Sequence, residues 1–411
     1  MKRSIVVGSF LFFKPSKIII SYLTLGGLST LLLITACTTS GGTSLPLDNR
    51  PVTAIPASAN STSVADPSSL QSTHTSSLTK VPQVHTPLWI YTVSSKLSSP
   101  PVFTSREIYV VTDNGYIHSV DLQTGRETWE TSVDRVPISA VNDVVYYELR
   151  GSLYALDSKT KQPKWTFQIH AGIESPPAIV NDTAYFGSDD GYLYALDNNT
   201  GAQKWRLKVG DGPIKDLAIG TGVIYLTAET FIAESYDTGF YEGSIHAIDI
   251  ATRREQWVYK PTGSVDTTNF VDGVVYCLHR NISTQADVIY ALDSQTGKQI
   301  WEYKPEAGTL SLPAIASQTL YMGTYSGKLS ALDTNTHQER WTFAAQNWIS
   351  VPVIVGDVIY FGSGDHYLYA VDRQTGQETW KFPTTGVVLT APVMRDGVLF
   401  FADETQVYAV R

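Results

Sequence analysis

The sequence predicts an all-β fold: an eight-bladed β-propeller of four-stranded antiparallel blades whose ring is closed by an N-terminal outer strand. Three observations carry this. A phrase of Asp, two free residues, Thr, usually Gly, three more residues and Trp occurs seven times. With Trp89 ahead of the first copy, the tryptophans Trp89, Trp129, Trp165, Trp205, Trp257, Trp301, Trp341 and Trp380 are 40, 36, 40, 52, 44, 40 and 39 residues apart, the period of a propeller blade rather than of a helical repeat. The chain also begins with one strand too many and ends one strand short.

The third copy shows one unit strand by strand. A Pro-rich start leads into Ala178-Ile179-Val180, Asn181-Asp182 turns the chain, and Thr183-Ala184-Tyr185-Phe186-Gly187 follows as a half-buried aromatic strand. After Asp189-Asp190-Gly191 comes Tyr192-Leu193-Tyr194-Ala195-Leu196-Asp197, then the Asn198-Asn199-Thr200-Gly201 turn and a last strand carrying Trp205. Four short strands joined by tight turns make one antiparallel blade.

The repeated phrase has a mechanical reading. The aspartates at its head (Asp121, Asp157, Asp197, Asp249, Asp293, Asp333 and Asp372) can accept hydrogen bonds from backbone amides two or three residues on. Gly125, Gly201, Gly297 and Gly376 supply the left-handed backbone that other residues reach at a cost. Each turn then presents its Trp where the ring fills the gap between blades and the indole N–H finds an acceptor. Lys161, Arg253 and His337 stand where Gly is expected. Those turns should be strained by about 1 kcal/mol or be of another type. Aspartates repeated around a ring are read as structural, not catalytic.

The phrase Tyr-Ala-Leu-Asp-x-x-Thr-Gly-x-x-x-Trp resembles the tryptophan-docking repeat of the pyrroloquinoline quinone (PQQ) propeller family, over roughly residues 87–411. The resemblance implies the fold. It leaves function open between quinoprotein dehydrogenases and members without cofactor, among them the BamB-like lipoprotein branch, which assists assembly of outer-membrane β-barrels.

Counting strands accounts for Trp89. The terminal Gln406-Val407-Tyr408-Ala409-Val410-Arg411 matches the third strand of a blade, with no Trp strand after it. Trp89, in Pro87-Leu88-Trp89-Ile90-Tyr91, belongs to an outer strand with no blade before it. The N-terminal segment should complete the last blade and leave no free edge at the seam.

Before residue 87 the chain changes character. Lys2, Arg3, Lys14 and Lys17 precede an uncharged apolar run over 18–36 that ends Ile34-Thr35-Ala36-Cys37, the layout of a secretory signal over residues 1–36. The cysteine resembles that of a bacterial lipobox, which implies Cys37 as the diacylated first residue of the mature protein. An uncleaved anchor is the alternative, because the run is about long enough to span a bilayer. Residues 37–86 form a Ser/Thr/Pro-rich linker; 38–86 hold no Trp, Tyr or Phe and cannot build a core. Such a chain spans about 40 Å. Either reading puts the propeller, residues 87–411, outside the cytoplasm.

Composition narrows the partners. Removing the signal takes away four positive charges and no acid, moving the net charge from −9 to −13. A nucleic-acid surface is therefore not expected. With Cys37 lipidated, Cys277 has no disulfide partner, and its strand context (Val275-Tyr276-Cys277-Leu278) reads as a buried apolar residue. The chain lacks the adjacent Cys-Cys pair that the resemblance implies for quinoprotein dehydrogenases, and it lacks hydrolase, haem and phosphate-loop motifs. No catalytic residue, no cofactor and no metal site is expected; Asp189 and Asp190 fit a hairpin turn. PQQ with calcium is the alternative.

Insertions in a regular array collect on a functional face. The fourth unit inserts 229–243 and the fifth 279–287, both between second and third strands. Phe231, Tyr236, Phe240 and Tyr241 with Glu229, Glu234, Asp237 and Glu242 suggest an acidic aromatic lip, and His279 and Arg280 open the neighbouring insertion. Arg135, Glu174, Asp211, Asn347 and Trp348 lie in connections between blades that reach the same face. Trp348 stands outside the repeat, and reads as a partner anchor or as a cover for its own blade. The expected function is a non-catalytic, membrane-tethered, monomeric scaffold that binds proteins or peptides of the cell envelope. A PQQ-dependent oxidoreductase and a ligand- or polysaccharide-sensing module are the alternatives.

Overall fold

A computed structural model describes residues 85–133, 135–173, 175–235, 238–281, 286–309 and 311–411. They form eight four-stranded antiparallel sheets arranged as blades, as the repeat predicts. Blades 1 to 7 span 102–132, 135–168, 178–208, 214–259, 264–303, 314–344 and 353–383. Blade 8 is assembled from 393–410 and the strand Pro87–Thr92. That strand pairs with Gln406–Val410 in the register Trp89↔Ala409, Ile90↔Tyr408, Tyr91↔Val407 and Thr92↔Gln406.

Core side chains sit between blades rather than inside any one of them. Val111 and Ile117 of blade 1 pack with Val145, Tyr147 and Leu156 of blade 2. At the seam, Val110 and Val120 of blade 1 meet Ala402 and Val407 of blade 8, with Trp89 and Tyr91 packed against them. Burial of apolar area is thus complete only when the ring is closed.

The turn phrase acts as the sequence suggests. In blade 1, the Asp121 carboxylate accepts from the Gln123 amide at 3.1 Å and the Thr124 amide at 2.8 Å, and the Thr124 hydroxyl donates to the same oxygen. These bonds hold the Asp121 carboxyl below its ordinary range, with Thr124 the largest cause. Lys161, Arg253 and His337 each adopt φ of 59°, so they enter the same left-handed turn and carry its strain.

What docks against the turn alternates around the ring. Trp89, Trp165, Trp257 and Trp341 lie directly on Gly125, Gly201, Gly297 and Gly376 of the following blade, so close that an added Cβ would come within 2.5–2.8 Å of the indole. Their indole N–H groups donate to the carbonyls of Leu122, Asn198, Ser294 and Arg373 at 2.9–3.1 Å. The other four rings meet a longer side chain. Lys161 stands over Trp129 at 5.8 Å, Arg253 over Trp205 at 5.9 Å, and His337 and His85 lie 5.2 and 4.3 Å from the rings of Trp301 and Trp380. His85, whose Nδ1 is 3.1 Å from the Arg411 carbonyl, thereby stands in for the turn that blade 8 does not have.

Candidate functional site

In each blade the turn between second and third strands lies on the same face as the connection from the preceding outer strand. On this face blades 4 and 5 differ from the rest. The segment expected as an inserted loop is an extension of the sheet: Val223–Ser235 and Thr238–Asp249 stay paired out to Ser235↔Thr238. In blade 5, Val274–Asn281 and Ala286–Asp293 stay paired out to Asn281↔Ala286. Two adjoining raised hairpins result.

Their bases are locked by close backbone contacts and buried charge. The Glu229 amide donates to the Pro213 carbonyl at 3.0 Å and the Gly243 amide to the Gly263 carbonyl at 2.7 Å. At Gly212 a Cβ would lie 1.8 Å from the Glu229 oxygen, so this crossing admits nothing larger than glycine. Glu229 is buried, accepts from Ser264 Oγ at 2.6 Å and pairs with Lys215 at 2.6 Å. Arg280 is clamped between Asp266 and Asp287 and donates to the Thr309 carbonyl at 3.0 Å. Burial pushes the Asp287 carboxyl up, against the pull of Arg280 and the Thr309 amide, which donates to it at 2.7 Å. A polar network therefore runs from blade 4 through blade 5 to the connection into blade 6 under the hairpins, and removing either member of a buried pair strands the other.

Several residues expected on an open surface are placed elsewhere. Glu229 belongs to the buried base and not to a lip. His279 is buried beside the Thr262 carbonyl, its ring 5.8 Å from that of Tyr290, and Arg280 is consumed by its two carboxylates; neither is presented to a partner. Their neighbours in sequence gave no sign of this, because the burying groups come from distant positions: Ser264 of the next blade for Glu229, and Thr262 and Asp266 of the preceding connection and strand for His279 and Arg280. Glu242 is exposed. The backbone pairs Phe231↔Tyr241 and Ile232↔Phe240 lie on the raised part, while the side chains of Phe231, Phe240, Tyr241, Glu234 and Arg135, and all of Tyr236, Asp237 and Glu174, lie outside the described residues.

Trp348 covers its own blade. Its indole lies against Gly364, where a Cβ would be 2.5 Å from Nε1, and its carbonyl accepts from the Gly364 amide at 3.0 Å. The ring is half-buried. Beside it Asn347 donates to the Gly364 carbonyl at 3.3 Å. Asp211 is exposed and lies 3.6 Å from Lys208. Asp190 accepts from the Tyr192 amide and the Tyr194 hydroxyl, as a turn residue does. Cys277 is fully buried, its thiol pushed up by that burial.

Asp216 is a titratable group that sequence reasoning did not single out. Asp216, on the inner strand of blade 4, is buried and accepts from the Thr268 amide of blade 5 at 2.8 Å. Burial pushes its carboxyl up to about 6, with the Thr268 and Leu217 amides opposing. Thr267 Oγ1 and Asn269 Oδ1 beside it are buried without protein partners.

Docked tryptophans, a strand-closed ring and decoration confined to one face define a PQQ-like β-propeller. The chain belongs to the family described as outer membrane protein assembly factor BamB, which matches residues 134–272, 238–348 and 344–411. It is similar to the outer membrane protein assembly factor BamB of Moranella endobia (strain PCIT), 22% identical over 247 residues, covering 57% of this chain and 61% of that protein. It thus spans about three fifths of that relative. A stretch of 119 residues is 30% identical to the quinohemoprotein alcohol dehydrogenase of Comamonas testosteroni, covering 25% of this chain and 16% of the enzyme. Among solved structures, BamB from Moraxella catarrhalis shares the fold with a TM-score of 0.58 and 18% identity, over 80% of this chain and 100% of that one. Among the described residues no helix is long and apolar enough to cross a membrane, and the apolar run over 18–36 lies outside them.

Proposed function

We propose that this protein is a non-catalytic scaffold that works outside the cytoplasm, tethered through a lipid on Cys37 and the linker 38–86, and that it binds protein partners during assembly of outer-membrane proteins. The observation that carries the reading is the pair of adjoining hairpins on blades 4 and 5, raised on one face and fixed at their bases by the Lys215–Glu229–Ser264 and Asp266–Arg280–Asp287 contacts. A rigid base under a raised strand pair presents backbone and side chains in one geometry, so that little ordering entropy is lost on binding. Family membership supports the assembly setting.

Shortening the hairpin by removing 231–241, with Glu229 and Gly243 retained, tests this. The melting temperature should hold, and capture of envelope proteins from a detergent extract should be lost. Undiminished capture would move the site to another face. A PQQ-dependent oxidoreductase is the second reading, favoured by the stretch shared with the quinohemoprotein. A quinone absorbance retained after incubation with PQQ and calcium would support it.

A further inference from the structure

Two blades carry a histidine three residues before the turn aspartate and a glutamate six after it: His118 and Glu127 in blade 1, His246 and Glu255 in blade 4. Both pairs are in contact, His118 Nδ1 at 2.8 Å from Glu127 Oε1 and His246 Nδ1 at 2.6 Å from Glu255 Oε2. In blade 4 the pair is closed. His246 Nε2 is 2.8 Å from Ser244 Oγ, and the residue nine after the aspartate is Val258.

Blade 1 departs from this at each of those points. Tyr116 replaces the serine, and Glu130 replaces the valine. Glu130 stands directly across from His118 in the strand pair, its Oε2 3.7 Å from Nδ1. Glutamates three apart on a regular strand would face opposite sides. A bulge between Ser119 and Val120, opposite Glu127 and Trp129, shifts the parity and brings Glu127 and Glu130 to one side. One oxygen from each and the ring nitrogen all lie within 4.8 Å of one another. His118 is 8% exposed, so the nitrogen donor is held in place while the two carboxylates face solvent. Tyr91 of the closing strand reaches the same point, its hydroxyl 3.5 Å from His118 Nδ1.

We infer that His118, Glu127 and Glu130 bind a single divalent transition-metal ion of the zinc class at the seam between blade 1 and the closing strand. A tetrahedral ion with bonds of about 2.0–2.2 Å holds its donors about 3.3–3.5 Å apart, so Glu130 is nearly in place and Glu127 needs to withdraw by less than 1 Å. One imidazole nitrogen with two carboxylates suits zinc and its neighbours better than calcium or magnesium, which take oxygen donors. Water completes the coordination. The site contradicts the expectation of no metal in this chain, and it stands independently of the scaffold reading. With Tyr91 packed against it, the bound ion braces the closing strand.

The test uses the full-length protein, purified in detergent without an affinity tag, stripped with chelator and titrated calorimetrically with zinc alone, then with calcium or magnesium. Glu130→Val gives blade 1 the residue found in blade 4, and because Glu130 is exposed the fold is kept. Glu255→Gln in blade 4 is the control. The expected result is one zinc per chain, at least tenfold weaker in E130V and unchanged in E255Q, with no calcium or magnesium uptake at the same concentrations. Zinc should raise the melting temperature of the parent clearly more than that of E130V at the same concentration. Absence of saturable zinc binding, binding by E130V equal to the parent, or equal uptake of calcium would overturn the proposal.

Discussion

The Lys161 ammonium stands over the Trp129 ring, 5.8 Å from its centroid, in the place that Gly201 takes under Trp165 one blade later. The two solutions alternate strictly, glycine on odd blades and Lys, Arg or His on even ones, with His85 completing the series at blade 8. Where glycine lies beneath, the indole reaches a carbonyl and the ring seats on bare backbone. Where a long side chain lies above, a cation or imidazole faces the ring, worth about 0.5–2 kcal/mol where the partner is a cation.

The glycine solution tolerates no Cβ. In Gly201→Ala the methyl would sit 2.8 Å from Trp165 Cδ2 at a φ of 72°. A loss of about 2–4 kcal/mol is expected in denaturant unfolding. A variant as stable as the parent would show that the indole can move aside.

Lys161 has a second task. Its ammonium pairs with the largely buried Glu107 and lies 2.8 Å from the Tyr109 hydroxyl. Burial alone would raise the Glu107 carboxyl, but hydrogen bonds from Lys161, Thr128 and Tyr109 outweigh it and hold the group below its ordinary value. The pair's contribution is therefore present above the unfolded value of 4.5 and lost as pH falls through the folded one. Lys161→Gly should relieve the turn yet destabilise by about 2 kcal/mol, because Glu107 is left without its partner. Adding Glu107→Gln should recover most of that, and thermal melts of both variants at neutral pH measure it.

Ring closure depends on a short segment. Deleting 85–92 removes Trp89 from its seat on Gly125 and His85 from Trp380, and it exposes the edge of Gln406–Val410. A fall in melting temperature on the order of 10 °C is expected by calorimetry. Retained stability would refute closure by this strand.

Asp216 gives a pH signature of opposite sign. Its folded value, about 6, lies above the ordinary 3.8, so its contribution is fully present below pH 3.8 and is lost as pH rises through about 6. At neutral pH the buried charge costs about 3 kcal/mol. Asp216→Asn keeps a carbonyl for the Thr268 amide and cannot ionise. Its melting temperature should exceed the parent's at pH 7.5 and match it near pH 4; parallel pH profiles would contradict this.

Much of the ring was legible in the sequence because its signals are local. Asp121 to Thr124 is a turn that closes on itself, and Trp89 without a preceding blade is a matter of counting strands. What was not legible is set by pairing between strands and by packing between blades. Glu229 and Arg280 read as surface charges because their burying partners, Ser264 and Asp266, arrive from elsewhere in the chain. The raised hairpin read as a loop because nothing in the order of its residues marks continued pairing out to Ser235↔Thr238. The His118, Glu127 and Glu130 cluster was hidden by the bulge, which reverses the side on which Glu127 falls.

The scaffold reading is tested most directly by site-specific photo-crosslinking in cells. A crosslinking residue at the exposed Glu242, on the raised hairpin, is compared with one at the exposed Gln123, on a turn of the opposite face. A discrete adduct with an envelope protein from position 242 and none from position 123 is the expected result. Adducts of equal yield from both positions, or none from position 242, would contradict it.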